Sequence, residues 1–395
     1  MSEFDINAFM DISYKREEKL LVEYLQNITS KPPEHQVTNV LKQIIQNKYW
    51  EAFELYLNKD WIQTDLFEYE SFNHSPIAVF LKPALYDSAA IQAYLPYFNK
   101  FLSKIDDINE EVSGDTLLSF AIDNNAPIEI LKALIDAGIN INFKSRYGES
   151  YLYLFCQKLG MPPANTDQII QLLLDNEVDV NAATIENKTA LFLAVSANKI
   201  AVCKQLLENG ADVNITNTKG ETPFLLAAAH SQNIDMLKLL LEYGTPDFTQ
   251  LTKDGENLLN VTLRFVQKDE HSINIIGLLL ENGASLSATS QYYQKPKSGI
   301  DWVAEKSSEL LSYLLEHHYI EDINEADNDG NTLLIKVCMY NCNYEESVAK
   351  DIYRKVKLLL KHGADSTIEN RFDKKAVDYA MEDQLKTKIV ETLLA

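Results

Sequence analysis

The 395-residue chain carries 58 acidic side chains against 36 basic ones, a formal net charge of −22. That balance disfavours a phosphate backbone as partner, so no nucleic acid is expected, and it suits a protein with a basic surface. Apolar residues make up 46%, enough for a folded chain, and the four scattered cysteines (Cys156, Cys203, Cys338, Cys342) argue against a disulfide framework and for a reducing, cytoplasmic setting.

The first residues place acids early and show no apolar core of signal-peptide length. No run approaches the length of a membrane span. Residues 1–69 read as helical. Tyr14, Leu20, Leu21, Tyr24, Leu25 and Ile28 form one helical face, Lys31-Pro32-Pro33 interrupts it, and Val37 to Leu57 resumes the period. A helical N-terminal cap is expected here, because a stack of repeats needs an end that does not expose core.

Residues 70–109 restart weakly at Ser75-Pro76-Ile77, with a second helix from Ala89 to Leu102 and Pro96 as an irregularity. Stronger units lie near 110–142, 143–181, 182–214 and 215–248. The second of these carries an insertion, Gly160 to Asn165, between its helices. Residues 249–324 are degenerate, with an acidic extension from Gln267 to His271 and a swollen turn from Ser290 to Ser298 ahead of a helix at Ile300–Ala304. A strong unit returns near 325–367, and 368–395 closes the chain as a polar cap.

The best pair fixes the period. Asn187 and Gly220 take the same place 33 residues apart, Thr189 matches Thr222, and Ala194 matches Ala227. Leu206-Leu207 matches Leu239-Leu240, and Gly210 matches Tyr243-Gly244. Thr189 and Thr222 stand where a helix starts and a hydroxyl satisfies an orphan N–H. Pro223 follows in the first turn, where its missing N–H costs nothing. Ala227 to Ala229 keep one helix thin, and Leu237, Leu240 and Leu241 recur at helical spacing on the next. Gly210 and Gly244 are expected to be left-handed residues closing the second helices.

This turn, Thr-Pro-Leu start, Ala-rich helix and Leu-Leu helix ending on Gly-Ala-Asp resembles the ankyrin repeat, over roughly residues 70–395. The resemblance implies an all-α ankyrin-repeat solenoid and non-catalytic protein recognition. It places the binding surface on turn tips and exposed first-helix residues. Aligned on Gly220, the tips offer Arg146, Tyr147 and Glu149; Ile185, Glu186 and Lys188; Thr218, Lys219 and Glu221; and Lys253, Asp254 and Glu256. First-helix positions are Gln157, Ser196, His230, Arg264, Phe265 and Tyr340. The swollen turn adds Tyr292, Tyr293, Lys295 and Lys297 as a contact site, since extra length there serves no repeat and aromatics are enriched where partners bind.

No catalytic, metal-binding or cofactor residue is assigned. Cys338 and Cys342 lie four apart, but Cys338 aligns with a core position and no second pair of ligands joins them. Asn181 and Asn214, each after an Asp-Val pair, resemble substrates for asparagine hydroxylation, yet an Asn that bonds turn backbone explains them better. The function expected is that of a monomer which binds and occludes a basic protein partner, as an immunity protein or inhibitory regulator. The alternative is a translocated bacterial effector that holds a host protein in the host cytosol.

Overall fold

The computed structural model describes residues 3–85, 87–158 and 166–395; the insertion expected at Gly160–Asn165 lies outside them. Two compact units make up the chain. One holds residues up to Ala197 together with Ala201–Ala211, and the other holds Asn198–Ile200 together with Asp212–Ala395. The division falls among the repeats, and the N-terminal helices share a unit with the first of them. Both units are helix pairs stacked in sequence, an all-α repeat solenoid.

The first unit opens with α1 (Ile6–Tyr14), α2 (Glu18–Asn27), α3 (Glu34–Gln46) and α4 (Trp50–Asn58). The pair α5 (Pro76–Leu81) and α6 (Ser88–Leu102) follows, and Pro96 sits inside α6 without ending it. Aromatic rings join α4 to α6: Trp50 stacks on Tyr97 at 5.5 Å and Phe53 on Tyr94 at 6.0 Å. Offset ring pairs of this kind add to the burial of their area. Next come α7 (Leu117–Asp123) with α8 (Ile128–Asp136), α9 (Tyr151–Gln157) with α10 (Thr166–Asp175), and α11 (Ala190–Ser196) with α12 (Ile200–Glu208).

The second unit begins with α13 (Pro223–Leu225), which widens into a π-turn over Leu226–His230, the Ser231 N–H reaching back to the Leu226 carbonyl at 2.9 Å. Then follow α14 (Ile234–Tyr243), α15 (Leu258–Phe265) and α16 (Glu270–Glu281). Strands β1 (Thr289–Tyr292) and β2 (Lys295–Ser298) pair antiparallel before α17 (Gly299–Glu305) and α18 (Ser308–Glu316). The chain ends with α19 (Leu333–Met339), α20 (Glu346–Lys361), α21 (Ala376–Met381) and α22 (Thr387–Leu394).

Seven of the first helices start for the same reason. A short polar side chain at the N-cap accepts a backbone N–H three residues on: Thr116, Ser150, Thr189, Thr222, Asn257, Ser298 and Thr332 all do so. The turn before it is also fixed by one side chain. Asn217 Oδ1 accepts the N–H of Lys219 at 2.8 Å and of Glu221 at 3.0 Å. Asp327 and Asn370 repeat the geometry, as does Ser145 with its hydroxyl. Such side chains imitate a backbone turn.

Successive repeats are tied by asparagine. Asn181 Nδ2 donates to the Gly210 carbonyl at 3.0 Å, and Asn214 Nδ2 to the Thr245 carbonyl at 3.3 Å. These two residues therefore bond backbone, as their place after Asp-Val suggested.

Gly210 is left-handed, with φ +86. Gly244 is not: its backbone is extended, φ 174. Glycine is needed there because a Cβ would stand 2.7 Å from Val213 Cγ2, a close approach that the helix-end rule does not foresee. Gly220 combines both demands. Its φ is +74, and a Cβ would lie 2.6 Å from the Leu251 carbonyl oxygen. Gly220→Ala is expected to cost at least the ~1–3 kcal/mol typical of a strained left-handed residue. Urea titration of the full chain checks this, and an unchanged midpoint would show that the two turns part easily.

Candidate protein-recognition surface

The turn tips are stitched to one another by backbone. Ile185 N–H donates to the Tyr147 carbonyl at 2.9 Å, in the first unit. In the second, Lys253 N–H donates to Lys219 O at 2.8 Å, Gln291 N–H to Gly255 O at 2.8 Å, and Arg371 N–H to Asp329 O at 2.9 Å. The tips thus stand in fixed register, and side chains on them are carried by rigid backbone rather than by loose loops.

Most of the expected tip residues are exposed: Arg146, Tyr147, Ile185, Glu186, Thr218, Lys219, Lys253 and Asp254. The Arg146 guanidinium lies 4.9 Å from the Tyr147 ring centroid, and Ile185, 69% exposed, belongs to the neighbouring tip. Glu149, Lys188 and Glu221 are half-buried. Glu149 Oε2 accepts the Ser145 hydroxyl at 2.9 Å and Glu221 Oε2 accepts from Asn217 Nδ2 at 2.7 Å, so these carboxylates brace their own turns. Lys188 lies 2.6 Å from Glu186.

Glu256 does not belong to the display. It is 5% exposed and pairs with Arg264 at 3.1 Å. Burial pushes its carboxyl pKa up, and the guanidinium only partly offsets this. Arg264 is consequently engaged as well, half-buried with its guanidinium over the Phe265 ring. Among the other first-helix positions, Gln157, Ser196, His230 and Phe265 are exposed. Tyr340 is half-buried where α19 ends, its ring 5.7 Å from Lys355 Nζ.

The swollen turn is a β-hairpin, and its four candidate residues divide. Tyr292 packs inward, its ring 4.9 Å from that of buried Trp302. Lys297 lies 3.4 Å from the Trp302 ring centroid and 2.7 Å from Glu305. Both hold the hairpin to α17 and are not free surface. Tyr293, at 85% exposure, and Lys295 project. Asn260 Nδ2 fixes the hairpin's base, donating to Ser290 Oγ at 2.7 Å and to the Lys297 carbonyl at 3.0 Å.

Sequence reasoning missed a set of lysines. Lys158 Nζ donates to the Ile122 carbonyl at 2.7 Å, Lys355 Nζ to Ala304 O at 2.6 Å and Lys306 O at 2.8 Å, and Lys386 Nζ to Cys338 O at 2.8 Å. Each is a cation at the carbonyl end of a first helix, where the helix dipole favours it. All four thiols are buried, and burial pushes every one of them up, Cys203 and Cys338 to about 12 and Cys342 to about 11.

Among the described residues no group of His, Cys, Asp and Glu is placed to hold a metal ion, and no helix is long and apolar enough to cross a membrane.

A family model described as ankyrin repeats (three copies) matches residues 118–217 and 191–290. An ankyrin repeat protein of Rickettsia bellii is 38% identical over 93 residues, 22% of this chain and 12% of that protein. An ankyrin repeat protein of Acanthamoeba polyphaga mimivirus is 29% identical over 135 residues, 34% of this chain and 21% of its own length. A serine/threonine-protein kinase of Dictyostelium discoideum is 28% identical over 137 residues, 34% of this chain and 15% of the kinase. The chain therefore spans between 12% and 21% of the length of these relatives. With the capped first helices, the stitched tips and these matches together, residues 118–290 are ankyrin repeats. Ankyrin repeats indicate protein–protein interaction.

Proposed function

We propose that the chain is a non-catalytic recognition module that binds and occludes a protein with a basic surface, as an inhibitory regulator or immunity protein does. The observation that carries this reading is the register of the tips: backbone hydrogen bonds hold exposed side chains on adjacent turns at fixed spacing. Rigid presentation lowers the ordering cost of binding. Acid excess supports the choice of partner, since residues 106–395 hold 44 acids against 26 bases, a balance of −18. The non-catalytic reading draws on the thiols, which are buried and held protonated.

Tyr147 and Ile185 form the leading apolar contact, being exposed on tips that bond each other directly. The test is to capture the partner from a lysate of the source cells and measure its binding kinetics against purified chain. Tyr147→Ala with Ile185→Ala is expected to leave the melting temperature unchanged and to weaken binding by about 2 kcal/mol or more. The on-rate is expected to fall as salt rises, because exposed charges beyond about 8–10 Å are screened at physiological ionic strength. An on-rate indifferent to salt, together with full affinity in the double variant, would overturn the proposal.

A further inference from the structure

The stitching of tips in the second unit has a gap. Bonds join Lys219 to Lys253, Gly255 to Gln291, and Asp329 to Arg371. Among the described residues none joins the β1–β2 hairpin to the next turn, residues 325–331. Between them lies an open cleft of about 1120 Å³. That exceeds the usual 300–1,000 Å³ of a small-molecule pocket and suits a length of chain.

The floor of the cleft is electrically closed. Lys336 contacts Asp301 at 2.6 Å and also Asp327, and Lys297 contacts Glu305 at 2.7 Å. The rim is not. Glu321, Asp322, Glu325 and Asp329 are exposed, and no cation pairs with them among the described residues. Opposite them stands the tip of the hairpin, Tyr293-Gln294, where both residues are left-handed, φ 47 and φ 62. Two-residue hairpin turns of this shape favour Asn-Gly, and a bulky residue at positive φ is an outlier. Backbone strain persists only where the surroundings impose it, and it concentrates at binding sites. Here it carries an exposed aromatic ring over an acid-lined cleft.

We propose that this cleft takes an extended segment of the protein partner that bears lysine or arginine, its cations set between the Tyr293 ring and the rim carboxylates. An aromatic face attracts a cation directly, and the carboxylates supply the opposite charge. The inference rests on the recognition reading and names the chemistry of one part of that surface.

The experiment is a fluorescence-anisotropy titration of the full chain with a labelled octapeptide of alternating lysine and alanine. One variant combines Asp322→Asn, Glu325→Gln and Asp329→Asn; a second carries Tyr293→Ala. A charge-matched control combines Asp136→Asn, Glu208→Gln and Glu242→Gln, all exposed and none of them lining the cleft. The cleft triple variant is expected to weaken binding by about tenfold or more, Tyr293→Ala by about threefold or more, and the control by less than about twofold. Equal weakening in both triple variants would assign the binding to diffuse charge and overturn the proposal. So would the absence of peptide binding to the unaltered chain. Neither result touches the recognition reading, which fails or stands on Tyr147 and Ile185 with the captured partner.

Discussion

Leu240→Ala is expected to cost about 2–5 kcal/mol of unfolding free energy, the usual range for truncating a buried leucine. Leu240 has no exposed surface and stands in α14 beside Met236, Leu237 and Leu239, all buried on the face that meets the neighbouring helices. Removing its isopropyl group leaves a cavity that stacked helices on either side cannot easily fill, because each is also held by its own repeat. Leu241, the next residue, is only half-buried and provides the contrast. Its alanine variant is expected to lose less than half as much, since less apolar area leaves contact with protein. Urea titration followed by circular dichroism measures both. A loss at Leu240 below about 0.5 kcal/mol, or a larger loss at Leu241, would contradict the helical register.

What was legible in the sequence was what local chemistry dictates. Thr189, Thr222 and Pro223 announce a helix start whatever surrounds them, and Gly210 announces an end. The Leu-Leu pairs give the buried face by period alone. Features that depend on a distant neighbour were not legible. Gly244 is small because Val213 approaches it, so the helix-end rule assigned it the wrong backbone. Glu256 sits at a tip position by alignment, but Arg264, eight residues on, draws it into the interior. The hairpin reads as a swollen turn in the sequence, since Tyr293-Gln294 lacks the Asn-Gly signal and β2 is Lys-Pro-Lys-Ser, a poor strand by propensity. One further local signal marks the turns: a Ser, Thr, Asn or Asp three residues before the left-handed position, as at Ser145, Asn217, Asp327 and Asn370.

The candidate surface was less legible than the fold for the same reason. A tip residue's place follows from the repeat, but its freedom to meet a partner depends on what else it touches. Tyr292 and Tyr293 are adjacent and chemically alike. Only the fold separates them, setting one against Trp302 and the other in solvent. Lys295 and Lys297 share one face of β2 yet divide by their distance from α17: Lys297 reaches Trp302 and Glu305, and Lys295 stands beside the exposed hairpin tip.

Lys355 supplies a consequence for pH. It is 1% exposed on the amphipathic helix α20, where a lysine reads as a solvent-facing residue. Burial pulls its pKa down to about 8 from 10.5, and Asp351 and Glu305 offset only part of that. The folded pKa is therefore below the unfolded one. Under about pH 8 both states hold the charge, and the fold bears the cost of burying it. Between about 8 and 10.5 the unfolded chain binds a proton that the folded chain has released, so stability rises with pH across that window. At 1.36 kcal/mol per pKa unit the gain is on the order of 3 kcal/mol. Deprotonation does not break the site. A neutral amine keeps two N–H groups, enough for the Ala304 and Lys306 carbonyls it bonds. Lys355→Met loses both the titration and those bonds, leaving two helix-end carbonyls without their donor. Urea titrations of the full chain and of the variant at pH 7.5 and 10.5 give the comparison. The stability of the unaltered chain relative to Lys355→Met is expected to increase by about 2–3 kcal/mol over that interval. Curves that shift in parallel would assign the pH dependence to other groups and show that Lys355 titrates as it would in water.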